Sequence, residues 1–111
     1  MKDAVHETYN MISVDGATST NDMALIMANG MAENEEITEE NEFYEAFSRA
    51  LLFIHEKFAR DIIHDGEGAS KFIQVDLAGA KTVEDARILA KSIITNDLVK
   101  TAMVRTQTGD E

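Results

Sequence analysis

The sequence predicts an α+β fold in which helices pack on a small mixed sheet. Three patterns predict it. Phe43, Phe47, Leu51, Ile54, Phe58 and Ile62 recur at steps of four, four, three, four and four, the apolar stripe of an amphipathic helix. From Lys71 to Ala78 the chain alternates, with Ile73, Val75 and Leu77 on one face and Phe72, Gln74 and Asp76 on the other, the period of a strand. Thr82, with Asp85 at the third position after it, opens a further helix as a relative of the capping box. Each helix needs a face on which to bury its stripe, and helix over sheet in two layers is the simplest arrangement.

The elements follow in order. Residues 2–9 are a short helical candidate with Ala4, Val5 and Thr8 on neighbouring positions. Residues 10–14 read as a strand bounded by Asp15 and Gly16. The stretch Asp15–Asp22 consists almost wholly of turn and capping residues and reads as a loop. Residues 23–28, stopped by Asn29 and Gly30, are ambiguous: composition favours helix, whereas a run of six favours a buried strand, and the strand is the preferred reading. The long helix extends from about Thr38, its expected N-cap, to His64, where Asp65 and Gly66 end it. Lys71–Ala78 is the third strand. The last helix buries Val83, Ala86, Ala90, Ile93 and Ile94, is interrupted at Asn96 and Asp97, and resumes over Leu98–Val104. Residues 1–104 are expected to form a single α+β domain and 105–111 a polar tail.

Composition narrows the function. With 111 residues the chain is one domain at most. It has no cysteine, which excludes disulfides, thiolate metal sites and a cysteine nucleophile, and three scattered histidines argue against a transition-metal site. Twenty-one acids against ten bases give a formal charge of −11, which disfavours nucleic-acid binding. Much of the acid is local, with seven Glu and no base in residues 33–45. No run is long and apolar enough for a membrane span, and the N-terminus lacks a signal-peptide core, so the expected location is the cytoplasm, with no membrane partner. Three strands leave open sheet edges, so a homo-oligomer is expected. No cofactor or metal is implied.

Two loops carry more polar and glycine residues than a connection needs. One is Asp15–Asp22. The other runs from His64 to Lys71, between the long helix and the third strand. Its Gly66 and Gly68 are not a phosphate-binding loop, since the GxGxxG spacing is missing and the order is helix to strand. They free the backbone to present Glu67 outward, where a carboxylate can bind an ammonium group. As plain structure, both loops read as turns with capping side chains. His55 reads as a packing or boundary residue of the long helix. The methionines at 11, 23, 27 and 31 read as core fillers.

At these loops the sequence resembles a known family. Tyr9–Gly30, containing Val14-Asp-Gly-Ala-Thr-Ser-Thr-Asn-Asp22, resembles a signature stretch of the ornithine acetyltransferase (glutamate N-acetyltransferase) family of arginine biosynthesis. Gly66-Glu-Gly-Ala-Ser-Lys-Phe-Ile-Gln-Val75 resembles a second, and Asn96-Asp-Leu-Val-Lys-Thr-Ala102 is similar to a third. The resemblance covers roughly residues 2–103, in order and with matching spacing.

The resemblance implies a fold, a larger α/β layered sandwich of which this chain is a part, and a mechanism. Family members cleave themselves at an Ala-Thr bond, and the new N-terminal threonine is the nucleophile. It takes acetyl from N-acetylornithine and passes it to glutamate, and some members also accept acetyl-coenzyme A. This is covalent catalysis with an oxyanion hole. The glutamate of the Gly-Glu-Gly-Ala stretch binds substrate in the family, and Glu67 occupies that position here. The nucleophile and the oxyanion-hole residues are expected outside this chain, so no catalytic residue is assigned within it. Thr8, Thr18 and Thr20 are internal and lack the free amine that activates such a hydroxyl. Ala17 stands where the family more usually has an acidic residue. After Ala102 the family pattern gives way here to Met103–Glu111. The chain reads as the middle of the C-terminal, beta-chain half of such an enzyme, inactive alone, whose partners are the remaining alpha- and beta-chain segments and, in the complete enzyme, N-acetylornithine and glutamate. It reads equally as an excised piece, a natural truncation or one part of a split protein. A non-catalytic interaction or assembly module that kept the fold is the alternative.

Overall fold

The regular structure is helical. The computed structural model describes residues 1–66 and 68–105. Helix α1 spans Lys2–Glu7 and is followed by a 3-10 turn at Tyr9–Met11; α2 spans Glu42–His64, α3 Val83–Ile94 and α4 Asp97–Arg105.

Side-chain caps explain where the longer helices begin. Asn41 Oδ1 accepts from the backbone N–H of Phe43 and of Tyr44, both at 3.1 Å, so α2 starts at residue 42 and not at the expected Thr38 cap. Thr82 Oγ1 accepts from the Asp85 N–H at 3.0 Å, the predicted start of α3. Asn96 Oδ1 accepts from Leu98 N–H at 2.9 Å and Val99 N–H at 3.3 Å, so the break expected at Asn96 and Asp97 is the N-cap of α4. Such caps stabilise a helix by about 0.5–2 kcal/mol each. Helix α2 ends as predicted, with the Asp65 N–H donating to the Asp61 carbonyl at 2.9 Å.

The predicted sheet is not present. Among the described residues there is no strand, and the expectation of helices packed on a small mixed sheet is corrected accordingly. Residues 10 and 11 belong to the 3-10 turn, and residues 12–14, 23–28 and 71–78 carry no regular structure. The reason is that alternation along a sequence describes one strand, whereas a sheet requires a second strand to exchange N–H and C=O bonds with it. No backbone hydrogen bond pairs 23–28 or 72–78 with another segment among the described residues.

The core is small and lies where α1 crosses α2. Its buried members are Ala4 and Thr8 on one side and His55 and Ala59 on the other. Small residues let the two backbones approach. The stripe that identified α2 is not what α1 covers. Phe43, Phe47, Phe58 and Ile62 remain half or more exposed, because the His55–Ala59 line sits about 100° around the helix from the stripe. In α3, Val83 is exposed, and Ala86, Ala90 and Ile94 are only half-buried. Met23, Met27 and Met31 are exposed, which corrects their reading as core fillers. The radius of gyration of 17.9 Å exceeds the roughly 13 Å of a compact chain near 100 residues. No described helix is long and apolar enough to cross a membrane.

Candidate functional site

The two polar loops are shaped by local hydrogen bonds. In the first, Asp15 Oδ1 accepts from the Ala17 N–H at 2.8 Å, and Ser19 Oγ accepts from the Asn21 N–H at 3.1 Å. Gly16 between them has φ +79°, a left-handed conformation that strains any side chain. In the second, the Gly66 N–H donates to Ile63 O at 3.2 Å and the Ala69 N–H to Gly66 O at 3.0 Å, which folds the chain back directly after α2. A Cβ placed on Gly66 would lie 3.6 Å from Val14 Cγ1 and 3.2 Å from Ile63 O. Glycine therefore lets the chain close tightly on the last turn of α2, with Val14 of the first loop at ordinary contact distance. Glu67 falls outside the described residues.

Helix α2 holds the segment after the second loop through its last turns. The His64 ring stacks on Phe72, with centroids 4.9 Å apart and planes at 17°. The Arg60 guanidinium lies 5.8 Å from the centre of the same ring and donates to Gln74 Oε1 at 3.1 Å. Gln74 in turn donates to Asp76 Oδ1 at 2.8 Å. Lys71 Nζ donates to the Met103 carbonyl, which joins this segment to α4.

The three sequence stretches meet at a cavity of about 550 Å³. Ile12, Ser13 and Val14 come from the first, Gly68 to Val75 from the second and Lys100 from the third. Its wall carries carboxylates (Glu7, Glu56, Asp76) and cations (Arg60, Lys71, Lys100). Residues 12–14 also line a second cavity of about 1190 Å³, together with Asp15–Ser19 and His55. Arg60, Lys91 and Lys100 carried no signal in the sequence, because each acts on residues at least 14 positions away. No described cluster of His, Asp and Glu could hold a metal ion.

His55 and Thr8 are buried polar residues of this region, and His55 is the ionisable one. Its Nδ1 is 2.9 Å from the Tyr9 hydroxyl, and the two rings meet edge to face at 5.3 Å and 88°. Its Nε2 is buried without a hydrogen-bond partner. Burial pushes the Tyr9 phenol above its ordinary value of 10.0.

Comparison with known proteins adds the following. The model of the ArgJ family matches residues 1–108. The arginine biosynthesis bifunctional protein ArgJ of Caldanaerobacter subterraneus subsp. tengcongensis is 53% identical over 102 residues, which are 92% of this chain and 25% of that protein. The protein of the same name from Bacillus subtilis (strain 168) is 47% identical over 106 residues, 96% of this chain and 26% of that protein. The chain thus spans about a quarter of the length of the curated relatives it matches. The crystal structure of the arginine biosynthesis bifunctional protein argJ from Bacillus halodurans superposes with a TM-score of 0.83 at 46% identity, covering 89% of this chain and 46% of that one.

The Tyr9–His55 contact yields a stability prediction. Tyr9→Phe leaves both ring nitrogens of His55, a residue 6% exposed, without a partner. The expected loss is about 1–3 kcal/mol in urea unfolding followed by circular dichroism. The folded chain favours the neutral phenol, so its contribution is fully present below pH 10.0 and is lost as pH rises through the raised folded-state value. Tyrosinate absorbance in a Tyr44→Phe background, titrated folded and in urea, checks the sign; a folded midpoint at or below the unfolded one refutes it.

Proposed function

The chain belongs to the ArgJ family, and from that premise we propose that it is a segment of an N-acetyltransferase of arginine biosynthesis. The enzyme moves acetyl from N-acetylornithine to glutamate through an acyl-threonine. The observation that carries this reading is the family match over residues 1–108, with close to half of the aligned residues identical. Its geometric support is the cavity at which all three signature stretches converge. A wall bearing both carboxylates and cations suits a zwitterionic amino acid, because each of its charges then meets a partner.

The nucleophilic threonine belongs to a part of the enzyme outside these 111 residues, as do the donors that stabilise the oxyanion. What this chain supplies is the substrate wall, and Glu67, flanked in sequence by Gly66 and Gly68, is the carboxylate assigned to an ammonium group of the substrate.

The purified 111-residue chain is expected to give no turnover of N-acetylornithine with glutamate above a buffer control, and measurable turnover refutes that division of labour. In a full-length relative carrying this segment, Glu67→Gln keeps size and removes charge. Loss of a charge-assisted hydrogen bond of about 1.5–3 kcal/mol lowers kcat/KM by roughly tenfold to a hundredfold while the melting temperature barely moves. Unchanged kinetics with a lower melting temperature would show Glu67 to be a turn residue only.

The exposed apolar residues of 23–31 and α2 lead to a second expectation for the isolated chain, since single chains rarely leave large apolar patches in water. It should self-associate with rising concentration in sedimentation velocity. A monomer at high micromolar concentration counts against it.

A further inference from the structure

Residues 12–14 form the partition between the two cavities, lining both. They lead directly into the Asp15–Asp22 loop. Yet Ser13 and Val14 take part in no backbone-to-backbone hydrogen bond among the described residues. A segment without a ladder needs another restraint to keep one register.

Two lysines supply it. Lys100 of α4 donates from Nζ to the Val14 carbonyl at 2.8 Å and to Ser13 Oγ at 3.2 Å. Lys91 of α3 donates from Nζ to the Asn10 carbonyl. Both lysines are half-buried as residues, and the Lys100–Ser13 bond is itself partly buried. They hold residues 10 and 14, on either side of Met11–Ser13, from two helices joined through Thr95 and Asn96. A cation on a carbonyl is a stronger restraint than a neutral pair. Three donors on one ammonium let Lys100 hold a carbonyl and a hydroxyl together.

We propose that Lys91 and Lys100 are positioning residues, whose ammonium groups hold the Asn10 and Val14 carbonyls and thereby fix the cavity partition and the loop that follows it. In this role each acts through the backbone it holds, and Lys100 directs two of its three donors at Val14 and Ser13 although it also lines the cavity wall. The holding itself is independent of the acetyltransferase reading; only its kinetic consequence rests on that reading.

The test starts with the unaltered 111-residue chain. A hydrogen-bonded Lys100 ammonium gives a slowly exchanging Nζ proton signal in NMR, and rapid exchange of those protons with water overturns the proposal. In Lys91→Met with Lys100→Met, the backbone order parameters of residues 12–14 should fall from about 0.85 to below about 0.6, with α2 still helical. The Val14 and Asn10 carbonyl carbons should move upfield, and Lys100→Arg should keep the Val14 carbonyl held where Lys100→Met does not. Order parameters unchanged in the double variant overturn the proposal. Should that variant not fold, the single Lys100→Met variant decides by the same readouts. In a full-length relative carrying this segment, Lys100→Met should change KM for the amino-acid substrate at least tenfold, and Lys100→Arg should recover most of it. An inactive unaltered enzyme there refutes the acetyltransferase reading alone, whereas normal KM in Lys100→Met with a mobile segment refutes the kinetic consequence alone.

Discussion

One contact organises the N-terminal part of the chain. Ala4 and Thr8 lie against His55 and Ala59, and the Tyr9 hydroxyl meets His55 Nδ1. Thr8 Oγ1 satisfies itself locally on the Ala4 carbonyl at 2.7 Å, so its methyl is free to pack. This joins residues 46 positions apart, and it requires smallness as much as attraction. A larger side chain at position 4 or 59 would push α1 off α2 and carry the 3-10 turn away with it. Everything after that turn inherits its direction, including residues 12–14 and the Asp15–Asp22 loop.

The rest of the chain is tied to this contact by polar links. Arg87 pairs with Glu7 at 3.2 Å, and Lys91 and Lys100 reach back to residues 10–14. The two kinds of tie differ in strength. The Arg87–Glu7 pair is partly exposed and is worth about 0–1 kcal/mol. The lysine bonds end on backbone carbonyls that have no described ladder partner, so they restrain position more than they add stability. The hydrophobic effect, which in most folds supplies the greater part of the stabilisation, acts weakly here, because most large apolar side chains stay in water.

What the sequence made legible were the features decided within a few residues. The cap at Thr82, the break at Asn96 and the stop at Asp65 are local, and they appear where the residue types place them. The cap of α2 was misplaced because Thr38 and Asn41 are both competent, and only the backbone decides which side chain reaches two free N–H groups. The strands failed for a different reason. Alternation over Lys71–Ala78 records that two environments flank this segment, but it does not say who supplies hydrogen bonds. Here its contacts come from His64 and Arg60 side chains on Phe72 and Gln74. Likewise, the α2 stripe records a face meant for burial without naming what covers it. At the candidate site, the two loops and the third stretch were legible as unusual compositions, whereas their meeting depends on separations of tens of residues. Glu67, the residue singled out there, lies outside the described part.

The path of the chain out of α2 follows from steric economy. Gly66 has the Ile63 carbonyl 3.2 Å from where its Cβ would stand, so a side chain there would press on the last turn of α2, whereas Val14 Cγ1 at 3.6 Å is in ordinary contact. Gly68, at φ +70°, turns the chain away again with open space around it. The pair therefore divides two tasks: one glycine lets the chain close on the end of α2, and the other permits the turn. Substituting Gly66 costs contact and substituting Gly68 costs conformation, and these differ in kind. A neighbour can give a few tenths of an ångström to relieve the first, but no neighbour can relieve a left-handed φ. Backbone constraints at 66 and 68 are thus how a short loop without a core of its own keeps one path between α2 and the segment that follows.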